Sequence, residues 1–367
     1  MATVHKQTSL YAQSPYTQVR LPDLFILFLS EPPAINPHYA DVRGESEAWV
    51  ADKCLMNERS RKTLTRCNFA LFLSIAAPEA DPEELRTIVD WGNWVFPFDD
   101  LFDNGDLKDD PKRAQLMIDG LLHKMREGFE HFPPVMRDPL IDVHNSVWDR
   151  LVQDAPKGVQ RRFAKAMNDY GYGVLSQVEV CSLDQNLSLE EVLALRRWSA
   201  GVSPLFPLVE YAHKLCIPDE VFECPSIQQI EQAGVDFVVL QNDILSYCKE
   251  EREGVMHNFV AVCRNSGMSA QASFDELGRM LQSRFRNCYL AMASLPSWGP
   301  EIDAQVQNYI RGILNVVKAN LHWSFSSGRY FGKAVDEVRR TMHVQVQARE
   351  ADIVHPIPDH KFMMHHE

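Results

Sequence analysis

The chain has 367 residues, of which 45% are hydrophobic and 24% are charged. This is enough material for one large domain or two ordinary ones. The formal net charge of −13 argues against a nucleic acid or an anionic membrane as partner. It does not exclude a phosphate-bearing substrate, because a bound divalent cation reverses the sign of the local field.

The cysteines and the N-terminus indicate a soluble protein of a reducing compartment. The eight cysteines include no C-x-x-C pair, and the N-terminus lacks a basic region followed by a long apolar stretch and a small-residue cleavage site. The apolar run at residues 24–29 is too short to cross a bilayer. We therefore expect a cytoplasmic protein with free thiols and no stable membrane insertion.

Helix signals follow one another along the chain, and strand signals are few. Residues 1–20 are polar and mixed, and predict a flexible N-terminal segment. Asp81 and Pro82 have the residue types of an N-cap and a first helical position. They predict a helix that stops near Asn104 and Gly105.

Three later helices are predicted from similar signals. Ser188 begins a capping box, and the helix that follows breaks near Gly201. Pro225 opens a helix that ends at Gly254, and residues 303–330 carry one more long helical pattern. No domain boundary is visible, so a single all-helical bundle is the simplest architecture.

Three aspartates stand at the end of the first of these helices. Asp99 and Asp103 are four residues apart and share one helix face, whereas Asp100 points partly away. Like charges at this spacing repel each other unless a cation lies between them. The preceding residues 91–98 are aromatic on every side, which predicts a buried helix. By itself the motif fits a solvated helix end as well as a metal site.

A second oxygen-rich pattern lies about 140 residues further along. Asn242, Ser246 and Glu250 recur every four residues, so they form one stripe along a helix. A carbonyl oxygen, a hydroxyl and a carboxylate on one stripe can share a Mg²⁺ ion. Lys249 lies beside Glu250 and could reach a phosphate oxygen. An ordinary polar helix face is the alternative, although the full string Asn-Asp-x-x-Ser-x-x-Lys-Glu is much more specific.

Two arginines complete the set of candidate residues. Arg196 lies 46 residues before Asn242, near a predicted helix end, and Arg329 with Tyr330 is expected to close the last long helix. Arginine donates two parallel hydrogen bonds to a phosphate, and tyrosine adds a hydroxyl. Either arginine alone would be interpreted as a surface residue.

In order and spacing, these four elements resemble the class I terpene synthases, and are most similar to microbial, fungal-type sesquiterpene synthases. The resemblance implies an all-α, single-domain helical bundle over residues 21–335, with a central active-site cavity. A C-terminal segment and tail would follow over residues 336–367.

The resemblance also implies roles for individual residues. It implies three Mg²⁺ ions bound by two groups of ligands: Asp99, Asp100 and Asp103, and Asn242, Ser246 and Glu250. The residues expected to bind the diphosphate are Arg196, Lys249, Arg329 and Tyr330. Phe96 and Trp323 would line the pocket and stabilise a carbocation, whereas we interpret Trp94 and Phe98 as core residues.

The implied function is that of a carbon–oxygen lyase. It would ionise farnesyl diphosphate, release diphosphate and cyclise the allylic cation to a sesquiterpene hydrocarbon or alcohol. A chain-elongating prenyltransferase is one alternative, although that class normally has a second aspartate-rich motif. A non-catalytic helical protein that binds prenyl diphosphates is the other. A homodimer is compatible with the sequence, and neither the product nor the preference for C15 over C10 or C20 follows from it.

Overall fold

The computed structural model describes residues 15–103, 105–126, 136–182, 188–255 and 257–352. The first helices are α1 (Tyr39–Lys53), α2 (Glu58–Cys67), α3 (Phe69–Ala76), α4 (Pro82–Asp103), α5 (Pro111–Leu122), α6 (Pro139–Asp154), α7 (Lys157–Ser182) and α8 (Leu189–Ser199). They are followed by α9 (Leu205–Ala212), α10 (Asp219–Phe222), α11 (Pro225–Glu253), α12 (Phe259–Asn265), α13 (Ala270–Ala293), α14 (Pro300–Ser324) and α15 (Val335–Thr341). The described residues also form two strands, β1 (Tyr16–Arg20) and β2 (His343–Gln347), and a few short 3-10 helices. The architecture is the predicted all-α bundle.

Two long helices carry the candidate metal motifs. Helix α4 packs on α1, α3, α6 and α9, and α11 packs on α8, α13 and α14. The middle of α4 is buried on all sides, and Trp91, Trp94 and Phe98 are each at most 1% exposed. Because apolar side chains surround this helix, its C-terminal aspartates lie at the edge of the core.

The local helix signals are confirmed at several ends. Ser188 caps α8 in a complete capping box with Glu191. Gly201, just beyond α8, and Gly254, at the end of α11, both have positive φ, at 66° and 75°. Glycine adopts this left-handed conformation without strain, which explains why the helices stop there.

The last long helix differs from its prediction over residues 303–330. Helix α14 begins earlier, at Pro300, and ends at Ser324. After Ser324 the chain forms local bonds instead: the Ser326 and Ser327 amides donate to the carbonyl of Trp323, and the Ser326 hydroxyl donates to the His322 carbonyl at 2.7 Å. Arg329 and Tyr330 therefore lie in the segment after the helix and do not close it.

The prediction of a flexible segment over residues 1–20 is wrong for residues 16–20. They form β1, which pairs antiparallel with β2 from the other end of the chain. Val19, Val344 and Val346 are buried beneath the pair, which explains why the strands form. The fold also continues past residue 335, through α15 and β2. Residues 1–14 lie outside the described residues.

Two further expectations concern membranes and thiols. Among the described residues, no helix combines the length and the apolar character needed to cross a bilayer. Seven cysteines are free thiols, as predicted: Cys54, Cys67, Cys216, Cys224, Cys248, Cys263 and Cys288. The side chain of Cys181 lies outside the described part of the chain.

Candidate active site

A cavity opens between α4, α8, α11 and α14, with about 840 Å³ of space free of protein atoms, counting its mouth. Its two ends differ in chemistry. The polar end is formed by Asp99, Asp103, Arg196, Asn242, Glu250, His257, Arg329 and Tyr330. The apolar end is formed mainly by Phe72, Leu73, Trp91, Val95, Phe96, Val202, Leu205, Val238 and Val239. Such a cavity suits a ligand with one charged and one hydrocarbon end.

The first wall of the polar end is the C-terminal turn of α4. Asp99 and Asp103 both face the cavity, as their spacing predicts. Helix α7 supports them from behind: the Tyr170 hydroxyl donates to Asp99 Oδ1 at 3.0 Å, and Gln177 Nε2 donates to Asp103 Oδ1 at 2.8 Å. His257 Nε2 lies 3.2 Å from the same Asp103 oxygen.

The two carboxyls of this wall have opposite pKa shifts. Burial and the charge of Asp103 raise the pKa of Asp99 to about 8, although Arg196 acts against this rise. Burial also acts to raise the pKa of Asp103, but His257, Arg196 and the Gln177 hydrogen bond outweigh it and lower the value to about 2. Without a cation, the two carboxyls therefore resist being ionised together, and the pair keeps a proton to a higher pH than two free carboxyls would.

Asp100 faces a different partner, in agreement with its expected direction. Its carboxylate pairs with Arg329, with Oδ1 2.9 Å from Nη2 and Oδ2 3.4 Å from Nη1. Asp100 is absent from the lining of the cavity, whereas Arg329 belongs to it. Asp100 thus orients this arginine from the side.

The second wall is the C-terminal half of α11. Asn242 and Glu250 line the cavity, and Asn242 Nδ2 donates to the Tyr330 hydroxyl at 2.8 Å. This bond leaves the Asn242 carbonyl oxygen as the atom for a cation. Ser246 is fully buried below the cavity surface, where Asn258 Nδ2 lies 3.5 Å from its hydroxyl and 2.8 Å from Glu250 Oε2.

Lys249, like Asp100 and Ser246, is a predicted site residue that does not line the cavity. Its Nζ lies 2.6 Å from Glu253 Oε2, one helical turn further along α11. Neighbouring helical residues point about 100° apart, so Glu250 and Lys249 do not face the same way. Lys249 would need a different side-chain conformation to reach a ligand at the polar end.

The two predicted arginines do reach the cavity, and each has an unused donor. Arg196 is 7% exposed and donates from Nη2 to Asp243 Oδ1 at 2.8 Å. Asp243 also accepts a bond from the Phe259 amide at 2.7 Å, so both of its oxygens are occupied. Nε of Arg196 and Nε of Arg329 are buried without hydrogen-bond partners. Buried donors of this kind favour an anion in the cavity.

The aromatic residues divide into a lining layer and a supporting layer. Phe96 lines the cavity as predicted, and sequence reasoning missed Trp91 and Phe72, whose aromatic character was the available signal. Trp323 lies behind Phe96, with ring centroids 5.2 Å apart and its indole N–H donating to the Cys67 carbonyl. Trp323 therefore supports the lining layer.

Trp94 and Phe98 have the core role expected of them. Both are fully buried, stack on each other with centroids 4.7 Å apart, and are absent from the cavity lining. Other residues that sequence reasoning missed are polar supports, namely Tyr170, Gln177, Asp243, His257 and Asn258. Only Asp243 carried a signal, because it is part of the Asn-Asp-x-x-Ser string.

The donor set of the polar end fits hard divalent cations. Its candidate ligands are carboxylate, amide and hydroxyl oxygens, the types that Mg²⁺ prefers. The raised pKa of Asp99 indicates a carboxyl that a cation would stabilise in its ionised form. In the described part of the chain, no three His, Cys, Asp or Glu side chains converge to hold a metal ion by themselves.

Comparison with known proteins agrees with this arrangement. Residues 90–287 match the family model described as terpene synthase family 2, C-terminal metal binding. The chain is 42% identical over 336 residues to the silphinene synthase of Penicillium patulum, with 90% of each chain covered. The chain belongs to the terpene synthase family.

Another relative of this terpene synthase is the (+)-eremophilene synthase of Gibberella fujikuroi. It is 36% identical over 334 residues, which cover 90% of this chain and 93% of the relative. A solved structure of a-eudesmol synthase superposes with a TM-score of 0.72 at 22% identity, covering 83% of this chain and 99% of that one. This likeness confirms the class I terpenoid fold. The matched region contains the motifs of α4 and α11, and the family description agrees with a metal-binding site there.

Proposed function

We propose that this protein is a Mg²⁺-dependent sesquiterpene synthase. It would take farnesyl diphosphate, release diphosphate and cyclise the resulting allylic cation to a sesquiterpene hydrocarbon or alcohol. One observation carries the proposal: a single cavity joins a polar end, where two ligand sets lie beside Arg196 and Arg329, to an aromatic and apolar end. The names of the relatives support a C15 substrate.

The polar end would bind and orient the diphosphate. Arg196, Arg329 and Tyr330 supply fixed donors, and Lys249 would join them only after leaving Glu253. Asp99, Asp103, Asn242, Ser246 and Glu250 would hold the cations, three by family resemblance, while Asp100 keeps Arg329 in place. When bound, Mg²⁺ supplies positive charge that offsets the charge developing on the leaving diphosphate. The donors of the chain add to that stabilisation as the carbon–oxygen bond breaks.

The apolar end would fold the prenyl chain and protect its cation. Trp91, Phe72 and Phe96 present aromatic surface, and Phe96 is stacked on Phe69 with ring centroids 4.1 Å apart. A cation over such a face gains about 2 kcal/mol or more when water is excluded. Stacking holds the Phe96 ring fixed, so the pocket shape would direct the cation to particular products.

The Asn/Ser/Glu wall supports cyclisation over chain elongation. An elongating prenyltransferase normally has aspartate-rich motifs on both walls, whereas here α11 presents Asn242 and Glu250 to the cavity. A non-catalytic binding protein would have no use for buried ligand sets on two walls. The carbon–oxygen lyase class and the cytoplasmic location belong to the same proposal. Homodimerisation stays a prediction that light scattering can test.

The decisive experiment incubates the purified protein with C10, C15 and C20 prenyl diphosphates, with and without Mg²⁺. Volatile products are identified by mass spectrometry, and released diphosphate is measured in parallel. We expect a cyclic C15 product that requires Mg²⁺ and is absent with Asp99→Ala. Longer diphosphates formed when isopentenyl diphosphate is added would indicate elongation. Substrate binding without diphosphate release would indicate a binding protein.

A further inference from the structure

We propose that Gln177 is a positioning residue that determines which oxygen of Asp103 is presented to a cation, and that Ser199 holds Gln177 in that orientation. The inference deepens the proposed function and rests on it for the presence of cations and diphosphate at the polar end. It concerns α7 and α8, which lie behind the two ligand walls.

The geometry fixes the orientation of the Gln177 amide. Gln177 is 3% exposed, and its Nε2 donates to Asp103 Oδ1 at 2.8 Å. Its Oε1 accepts from Ser199 Oγ at 2.7 Å. A carboxylate can only accept hydrogen bonds, so the amide nitrogen must face Asp103 and the amide oxygen must face Ser199. His257 Nε2 lies 3.2 Å from Gln177 Nε2 and 3.2 Å from Asp103 Oδ1, and with a proton on Nε2 it donates to the carboxylate.

The two carboxylate oxygens of Asp103 differ in their contacts. Gln177 and His257 both lie against Oδ1, at 2.8 Å and 3.2 Å. Among the described residues, no donor lies within hydrogen-bond distance of Oδ2. The carboxylate is therefore held by one oxygen, and the other is available as a metal ligand.

The sequence of α7 explains why Gln177 reaches Ser199. A Cβ atom at Gly173 would lie 2.5 Å from the carbonyl carbon of Trp198 and 2.7 Å from the amide nitrogen of Ser199. The backbones of α7 and α8 therefore touch at Gly173, where only glycine fits. Gln177 is one turn further along the same face of α7, which brings its side chain beside the end of α8.

The same contacts connect the aspartate wall to the helix of the diphosphate arginine. Ser199 lies three residues after Arg196 on α8, and Arg196 is paired with Asp243 of the other wall. Hydrogen bonds thus connect Asp103 of α4 through Gln177 of α7 to Ser199 of α8, the helix that carries Arg196. Loss of the amide would free Asp103 to rotate and would remove the link between the cation ligands and this helix.

The test uses inorganic diphosphate with Mg²⁺ as a probe that needs no turnover. The variants are Gln177→Leu, Gln177→Glu, which places a second carboxylate against Asp103, and Ser199→Ala. Each is titrated with Mg²⁺ at fixed diphosphate, and the rise in melting temperature is recorded with circular dichroism as a check of folding. The Mg²⁺ dependence of farnesyl diphosphate turnover gives kcat and KM separately.

Replacing a residue that supports a metal ligand commonly costs about 10- to 100-fold in metal affinity. We expect Gln177→Leu to raise the half-saturating Mg²⁺ concentration by about tenfold, at the low end of that range, and Gln177→Glu to raise it further. Ser199→Ala should raise the half-saturating Mg²⁺ concentration less, because the Gln177 amide is still present but has lost the hydrogen bond that fixes its orientation. KM for farnesyl diphosphate at saturating Mg²⁺ should change less than the Mg²⁺ requirement.

A matched control lies on the same helix. Gln160 of α7 is 8% exposed and donates to the carbonyls of Val152 and Ala155, away from the cavity lining. Gln160→Leu should lower the melting temperature and leave the Mg²⁺ requirement unchanged. If Gln177→Leu behaves like this control, the inference is wrong. If Gln177→Leu does not fold, Ser199→Ala and Gln177→Glu decide the matter, and unchanged Mg²⁺ requirements in both overturn the inference.

Failure of this inference is distinguishable from failure of the proposed function. A wild-type protein that is stabilised by Mg²⁺ and diphosphate but forms no cyclic product would refute the synthase activity, and the variants would still test Gln177. A wild-type protein that cyclises farnesyl diphosphate with variants of unchanged Mg²⁺ requirement would refute only the role of Gln177. A wild-type protein without any response to Mg²⁺ and diphosphate would overturn both.

Discussion

The two walls of the polar end hold their ligands in different ways. On α4, Asp99 and Asp103 are two carboxyls one turn apart, and burial with mutual repulsion raises the pKa of Asp99 to about 8. On α11, the ligand set of Asn242, Ser246 and Glu250 contains a single carboxylate. Asn258 donates a hydrogen bond to that carboxylate at 2.8 Å.

The difference shows how each wall depends on cations. The α4 wall concentrates negative charge that the chain compensates only in part, so a cation changes its protonation. The α11 wall has Glu250 as its one carboxyl ligand; burial and Asp243 raise the pKa of Glu250, and the hydrogen bond from Asn258 acts against this rise without a cation. The α4 wall should therefore dominate metal affinity and its pH dependence, whereas the α11 wall should dominate the stability of the metal-free protein.

The largest expected effect is that of Asp99→Asn. The amide keeps the shape of the side chain but cannot supply an anionic ligand, so turnover of farnesyl diphosphate should fall on the order of 10³-fold. Asp100→Asn, which affects only the pair with Arg329, should cost about tenfold. Diphosphate release and melting temperature are measured for both variants. Equal losses in the two folded variants would contradict the assignment of Asp99 as the direct ligand.

The second prediction concerns pH. Burial and Asp103 raise the pKa of Asp99, so its carboxyl keeps a proton to a higher pH than a free carboxyl would, and a cation must displace that proton to bind. Mg²⁺ affinity in the presence of diphosphate should therefore fall as the pH drops below about 8, by at most about tenfold per pH unit. Calorimetry in two buffers of different ionisation enthalpy should show proton release on binding. Binding that is independent of pH between 6 and 8 would contradict the comparison.

A smaller effect is expected from Asn258→Ala on the other wall. Asn258 donates to Glu250 and to the Asp243 carbonyl, and its Oδ1 caps α12 by accepting from the Val260 amide. Its loss should lower the free energy of unfolding by about 2 kcal/mol in urea. Because the Asn258 bond lowers the pKa of Glu250, its loss should also shift the pH dependence of Mg²⁺ binding toward higher pH. A variant of normal stability would show that the α11 wall does not rely on this side chain.

The smallest effect separates the lining layer from the core. Phe96→Leu should change the ratio of products and leave stability within about 1.5 kcal/mol of the wild type, because Phe96 faces the cavity. Phe98→Leu, two residues further along α4, should lower stability and leave the product ratio unchanged, because Phe98 is fully buried. Gas chromatography and urea unfolding measure the two properties. A reversed result would place the cyclisation surface elsewhere.

Much of the fold was accessible from local signals in the sequence. A few neighbouring residues are enough to predict the capping box at Ser188, the end of α11 at Gly254 and the end of α4 at Asp103. Asp99 with Asp103 and Asn242 with Glu250 reach the cavity because spacing by multiples of four on a helix fixes a common face. The resemblance to class I terpene synthases followed from these same strings.

Contacts between distant segments were decided by the tertiary structure. The strand at residues 16–20 forms only because residues 343–347 lie beside it. Helix α14 ends at Ser324, where the Ser326 hydroxyl bonds to the His322 carbonyl. Lys249 pairs with Glu253, on a different side of α11 from Glu250, which faces the cavity.

The sequence by itself predicted the residues of the site: helical periodicity, a local property, grouped Asp99 with Asp103 and Asn242 with Glu250, and the family resemblance added the arginines. Only the tertiary structure decided how those groups are held. Gln177 meets Asp103 because α7 and α8 touch at Gly173, and Arg196 meets Asp243 because α8 packs on α11. Such supporting contacts depend on the packing of helices that are far apart in the chain, so no short string of residues encodes them.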